Sequence, residues 1–178
     1  MRVDLILLCF AYVLSQFYRA FLAVLTEVLE RDVGASPEDL ATASGLWFLA
    51  FAAMQIPVGW ALDKVGPRRT ASVLLLIGGG GGAAVFALAS APVHISIAML
   101  LIGVGCSPVL MASYYIFART YPAAVFATLA AVILGVGSVG NLASALPTTL
   151  AVEAFGWRAV VGGTAVVSVL TALGLFFI

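Results

Sequence analysis

The feature that most limits the fold is a series of long apolar stretches, interrupted only by short segments that contain charged residues or proline. A helix needs roughly 20 residues to cross the hydrocarbon core of a bilayer, and six stretches reach that length. The fifth is over-long, and Pro147 should kink it or mark where it leaves the bilayer core. The sequence therefore predicts an all-α, polytopic membrane protein with six transmembrane helices and no soluble domain. The predicted spans are approximately 5–25, 40–62, 70–91, 93–118, 123–152 and 159–178.

Composition excludes several other classes of protein. Hydrophobic residues make up 63% of the chain and charged residues only 9%, about a third of the charge of a soluble domain. Eight basic and eight acidic residues cancel, so there is no field that would attract nucleic acid. Cys9 and Cys106 both lie in apolar stretches, which argues against a disulfide scaffold. A single histidine, no metal-ligand spacing and no acidic pair inside a span predict neither an enzyme, nor a metal site, nor a cofactor.

The basic residues between the spans are divided unequally between the two sides of the bilayer. By the positive-inside rule, the side with more Lys and Arg is cytoplasmic. Two basic residues, Arg31 and Arg158, fall on the opposite side. The distribution predicts that both termini are cytoplasmic, in a multi-pass protein of the plasma (inner) membrane. The five residues on the cytoplasmic side are Arg2, Lys64, Arg68, Arg69 and Arg119.

Two glycine clusters need an explanation. Residues 135–140 read GVGSVG, which matches the dinucleotide fingerprint, but that fingerprint functions only after a strand and at a solvent-facing helix start. Residues 78–82 are all glycine and lack the Lys-Ser/Thr of a phosphate-binding loop. We interpret both clusters as small-residue faces where helices pack closely.

The most informative segment, residues 59–69, reads GWALDKVGPRR. Gly59 permits close helix approach, the Gly66-Pro67 pair favours a tight turn, and the cations hold the loop at the cytoplasmic face. An acidic residue at a helix C-terminus is disfavoured by the helix dipole. Asp63 therefore needs a partner, and we predict an ion pair with Arg119 or Arg68.

This segment resembles the signature loop between the second and third helices of the major facilitator superfamily. The matching residues are Gly59, Asp63, Lys64, Gly66, Arg68 and Arg69. Segments 16–19 (QFYR), 54–57 (MQIP), 118–122 (ARTYP) and 155–158 (FGWR) also resemble the first half of that family, in order.

The resemblance implies a function and a domain organisation. Members usually carry two six-helix halves with the substrate held between them near the midplane, so residues 1–178 would form the N-terminal half. Either the chain is part of a longer product, which the absence of a polar flank after residue 178 favours, or it is a half-transporter that pairs with a second copy. The implied function is secondary transport of a small solute, and the arginine in the first span, discussed next, indicates an organic or inorganic anion, coupled to H⁺ or a counter-anion. The alternative is a non-transporting six-helix assembly factor or receptor-like subunit.

Arg19 lies inside the first predicted span. A guanidinium there costs about 2.5–3.5 kcal/mol on insertion scales, so it requires a substrate contact, an internal ion pair or snorkelling to the interface. Helical spacing places Tyr12, Gln16 and Arg19 on one face, and a cation beside neutral donors suits an anionic group. The segment also resembles the first helix of the organophosphate/phosphate antiporters, whose arginine at this place binds the anion. We predict that Arg19 faces the centre of the bundle.

Two further polar residues are candidates for substrate contact. Asn141 follows Gly140 in the fifth span, and an interhelical hydrogen bond explains it equally well. Tyr114 could line a cavity or belong to an aromatic belt at the cytoplasmic interface.

Overall fold

The computed structural model describes residues 3–177, which are helical apart from short connections and contain no strand. Six helical segments are long and apolar enough to cross a membrane, which confirms the predicted fold class. Two residues used in the sequence argument, Arg2 and Ile178, lie outside the described residues. The spans are Asp4–Val33, Pro37–Lys64, Pro67–Ala87, Pro92–Thr120, Ala123–Ser144 and Trp157–Phe177.

Several spans are built from more than one helical piece. The first contains a 3₁₀ segment, Phe21–Leu25, and continues past the predicted end at residue 25 to Val33. The third contains a π-helical segment, Leu75–Gly81. The α-helices in chain order are α1 (Val3–Ala20), α2 (Thr26–Val33), α3 (Pro37–Ala53), α4 (Gln55–Lys64), α5 (Pro67–Leu74), α6 (Gly82–Ala87), α7 (Pro92–Thr120), α8 (Ala123–Ser144), α9 (Leu146–Phe155) and α10 (Trp157–Phe177).

Local sequence signals account for the helix ends. The hydroxyl of Ser36 accepts a hydrogen bond from the backbone N–H of Asp39, whose carboxylate accepts one from the N–H of Ser36, so that a capping box begins α3. The chain turns at Gly34, Gly66 and Gly156, all with positive φ, a conformation that glycine adopts without steric cost.

The fifth apolar stretch does not form one helix. Residue 145 has a non-helical backbone, so α8 ends at Ser144 and α9 begins at Leu146, with Pro147 in its first turn. The predicted interruption near Pro147 is confirmed, and the span is shorter than the predicted 123–152. Because proline clashes with the preceding turn of a helix, the break falls just before it.

Glycine contacts hold the third and fourth spans together. A Cβ at Gly78 would overlap the backbone of Gly105, and a Cβ at Gly105 would overlap the backbone of Gly78 and Gly79. The π-helical turns of Leu75–Gly81 lie at this crossing. The interpretation of the 78–82 cluster as a packing face is confirmed.

The second glycine cluster packs α8 against α1. A Cβ at Gly140 would overlap the carbonyl oxygen of Val13, and one at Gly137 would overlap the ring of Tyr12. Gly135, on the same helix, has no such neighbour within 4 Å. This cluster is therefore an interhelical packing face as well.

At the bundle end opposite the 65–66 turn, polar contacts tie three spans together. The Arg158 guanidinium donates to the carbonyl oxygens of Ala87 and Ala89, at 3.0 and 2.8 Å. The indole N–H of Trp157 donates to Asp32 at 3.0 Å. These bonds fix the start of α10 against the ends of the first and third spans.

Candidate functional site

One cavity brings together most of the residues singled out on the first helix. Its volume is about 360 Å³, and its walls come from α1, α3 and α7. The three predicted residues of the α1 face all line it. We call it the Arg19 cavity; its lining residues are Tyr12, Ser15, Gln16, Arg19, Trp47, Phe48, Phe51, Cys106 and Leu110.

A chain of polar side chains runs along one wall. The amide of Gln16 donates a short hydrogen bond to the hydroxyl of Tyr12, one helical turn earlier. Asn141 of α8 donates to the amide oxygen of Gln16 over a long 3.5 Å. Asn141 therefore makes the interhelical contact that was its alternative explanation, and through Gln16 it connects to the cavity.

Arg19 is exposed on the cavity wall and has no acidic partner. Among residues 3–177 the one ion pair joins Arg31 to Asp32, so an internal ion pair does not explain Arg19 in this conformation. Its guanidinium carbon lies 5.6 Å from the centre of the Phe48 ring, within the range of a cation–π contact. The guanidinium donors therefore remain available within a cavity that holds no carboxylate.

The wall that α3 contributes is aromatic, and sequence reasoning missed it. Trp47 and Phe51 stack with ring centres 5.2 Å apart and planes at 15°, while Phe48 remains 46% exposed. The indole N–H of Trp47 is buried and has no acceptor among the described residues. The sequence feature that could have predicted this aromatic wall is the spacing of Trp47 and Phe51, which lie four residues apart and so share one helical face.

Tyr114 does not line the Arg19 cavity. It is half-buried on α7, and its ring lies edge-on against Phe126 of α8, with centroids 5.8 Å apart. The structure places Tyr114 in an aromatic contact between helices, and a role in substrate binding remains a prediction.

The prediction for Asp63 is wrong in this conformation. Its exposed carboxylate forms no ion pair with Arg68 or Arg119 within the described part of the chain. The Arg119 guanidinium instead lies over the ring of Tyr115, 4.3 Å from its centre. Arg68 follows the turn at Gly66, at the start of the next helix.

The other residues of the signature loop have simple structural surroundings. Gly59 is half-buried, and a Cβ there would lie 3.9 Å from the Met111 side chain of α7. Gly66 has a φ of 99° and reverses the chain between α4 and α5. The side chains of Lys64 and Arg69 are exposed. The loop is therefore a turn with free charges on its surface.

Residues 3–177 contain no group of three or more His, Cys, Asp or Glu side chains that could hold a metal ion. The Arg19 cavity offers a guanidinium, two hydroxyls, an amide and an aromatic wall. These groups can bind and orient a small molecule, and they contain no paired nucleophile and base.

Comparison with known proteins identifies the family. No curated protein matches the sequence significantly. The sequence profile of the Major Facilitator Superfamily matches residues 8–178, almost the whole chain. That family consists of secondary transporters of small solutes rather than enzymes. With six apolar spans and a profile match over nearly its full length, the chain belongs to the Major Facilitator Superfamily.

Proposed function

We propose that this protein transports a small anion by alternating access, with Arg19 as the group that binds the negative charge. The observation that carries the proposal is an unpaired guanidinium inside a cavity of the bundle. An arginine at such a depth is costly unless it meets water or a partner. A bound anion supplies that partner through charge-assisted hydrogen bonds.

The neighbouring polar groups would orient the substrate. Gln16 and Tyr12 lie along the same wall as Arg19, about one and two helical turns away. Asn141 holds Gln16 from the adjacent helix. In this proposal Arg19 provides the charge, Gln16 and Tyr12 provide directional hydrogen bonds, and Asn141 positions Gln16. Tyr114 takes a place near the substrate path.

Alternating access requires a second six-helix half that rocks against this one. In the second and fifth spans only 22% of the residues in the most apolar stretch are buried, against 61% in the fourth span. The second and fifth spans therefore expose surface that a second half would cover. We propose that residues 1–178 act as the N-terminal half, paired with a C-terminal half or a second copy.

The remaining parts of the proposal concern coupling and orientation. A proton or a counter-anion would drive transport. The signature loop, residues 59–69, would take part in the conformational exchange of the two halves at the cytoplasmic face. Arg119 would act with it. Both termini would lie in the cytoplasm and the protein in the plasma membrane, as the distribution of Lys and Arg predicts.

The test compares anions with a neutral analogue in membrane vesicles from cells that express the intact gene. Binding of radiolabelled phenylacetate, nitrate and phosphate is measured against phenylacetamide, for the wild type, Arg19→Gln and Arg19→Lys. Lysine keeps the charge but loses the bidentate fork, so we expect binding about tenfold weaker or worse. Arg31→Gln, near the outer end of the same span, is the matched control. If no anion shows Arg19-dependent binding, or if phenylacetamide binds as well as the anions, the proposal is wrong.

A further inference from the structure

We infer that the substrate is an organic monocarboxylate with an apolar body about the size of a ring, rather than an inorganic oxyanion or a dianion. The inference rests on the proposed function, because it concerns the same cavity and the same arginine. Its independent support is the chemistry of the side chains around Arg19.

The single positive charge in the cavity favours a substrate with one negative charge. Of the nine lining side chains, Arg19 is the one cation, and none is acidic. One guanidinium binds one carboxylate through two parallel hydrogen bonds. A dianion would leave its second charge without a partner on this wall, where removing a charge from water is costly.

The apolar side chains of the wall favour a substrate with an apolar body. Trp47, Phe48, Phe51 and Leu110 contribute aromatic and aliphatic surface beside Arg19. The Phe48 ring lies 5.6 Å from the guanidinium carbon and is 46% exposed. A carboxylate held by Arg19 would therefore place its substituent against Phe48, with the stacked pair of Trp47 and Phe51 beside it.

An inorganic oxyanion fits the same surroundings poorly. Nitrate or phosphate would give up hydration on entering a cavity with so much apolar wall, and it has no apolar surface to bury in return. An organic anion gains from burying its apolar part, at about 25 cal/mol for each Å² removed from water.

The experiment measures binding of radiolabelled phenylacetate to vesicles from cells that express the intact gene. Competitors are nitrate, succinate and the neutral phenylacetamide. We expect the affinity for phenylacetate to be at least about tenfold higher than the affinity for nitrate or succinate. Phe48→Ala should weaken phenylacetate binding about fivefold, the effect of losing one aromatic contact.

Two further variants make the result specific. Leu49→Ala alters the next residue of α3, which is 64% exposed and does not line the cavity, and it should leave phenylacetate binding unchanged. Phe48→Leu keeps an apolar side chain without the ring, and its affinity should lie between those of the wild type and Phe48→Ala. The amount of each variant in the membrane is measured by immunoblotting.

The outcomes separate this inference from the proposed function. If nitrate or succinate competes as strongly as phenylacetate and Arg19→Gln abolishes their binding, the inference is wrong and the proposed anion transport remains. Equal effects of Phe48→Ala and Leu49→Ala, or no phenylacetate binding at all, also overturn the inference. If phenylacetamide competes as well as phenylacetate, charge recognition itself is absent and both proposals fail.

Discussion

Replacing Gly140 by alanine tests whether the contact between α1 and α8 depends on the missing side chain. The new Cβ would overlap the carbonyl oxygen of Val13 and lie 3.0 Å from the backbone nitrogen of Phe17. Both atoms are backbone, so no side chain can rotate away. Helix α8 must therefore move away from α1, which also stretches the Asn141–Gln16 contact.

The expected magnitude follows from two opposing terms. Overpacking at a close contact typically costs about 1–3 kcal/mol. Replacing glycine by alanine inside a helix returns about 1 kcal/mol through helix propensity. At Gly140 both terms apply, and because the new Cβ would meet rigid backbone the cost lies toward the upper end of its range, so we expect a net loss of up to about 2 kcal/mol in the free energy of unfolding. At Gly135, where a Cβ would meet nothing within 4 Å, only the favourable term applies.

The assay is the unfolding of the purified protein in mixed micelles titrated with sodium dodecyl sulfate, followed by tryptophan fluorescence. Gly135→Ala is the matched control on the same helix and should unfold at the same detergent fraction as the wild type or a higher one. Gly140→Ala should unfold earlier. If the two variants have equal stability, close backbone packing is not what holds α8 against α1, and the reasoning is refuted.

Three other substitutions test the helix ends. Ser36→Ala removes the capping box of α3 and should lower the free energy of unfolding by about 1 kcal/mol, measured in the same titration; no change would show that the cap contributes nothing in micelles. Arg158→Gln shortens the side chain that donates to Ala87 and Ala89, and it should cost about 1 kcal/mol because the pair of bonds is partly exposed. Asp63→Asn removes an unpaired negative charge from a helix C-terminus and should raise stability by about 0.5 kcal/mol; a clear loss would indicate an ion pair that this conformation does not contain. In transport assays the same variant should slow conformational exchange more than it weakens substrate binding.

The sequence was sufficient for the fold because length and apolar composition determine where a chain can cross a bilayer. The six spans and the interruption near Pro147 followed from these features alone. The continuation of the first span to Val33 did not, because the segment after residue 25 contains Glu27, Glu30 and Arg31. Those side chains lie on a helix that extends beyond the apolar stretch, and polarity alone does not show where a helix ends.

The site was only half predictable, because helical periodicity relates residues on one helix and not residues on neighbouring helices. Tyr12, Gln16 and Arg19 were found together because they share a face of α1. Trp47, Phe48 and Phe51 reach the same cavity because Gly103 of α7 packs against the backbone of Trp47. That interhelical contact brings the aromatic wall to Arg19, and no spacing within the sequence encodes it.

The contact with Phe48 offsets only part of the energetic cost of placing Arg19 inside the membrane. A guanidinium at this depth costs about 2.5–3.5 kcal/mol on insertion scales, and a cation–π contact such as that with Phe48 returns about 0.5–1 kcal/mol at an exposed site. About 2 kcal/mol then remains to be supplied by water or by a ligand. An acidic residue on a neighbouring helix would remove this deficit, and it would also occupy the donors that an anion needs. The lack of such a residue among those lining the cavity keeps Arg19 both costly and available, which is the condition under which a bound carboxylate contributes most to affinity.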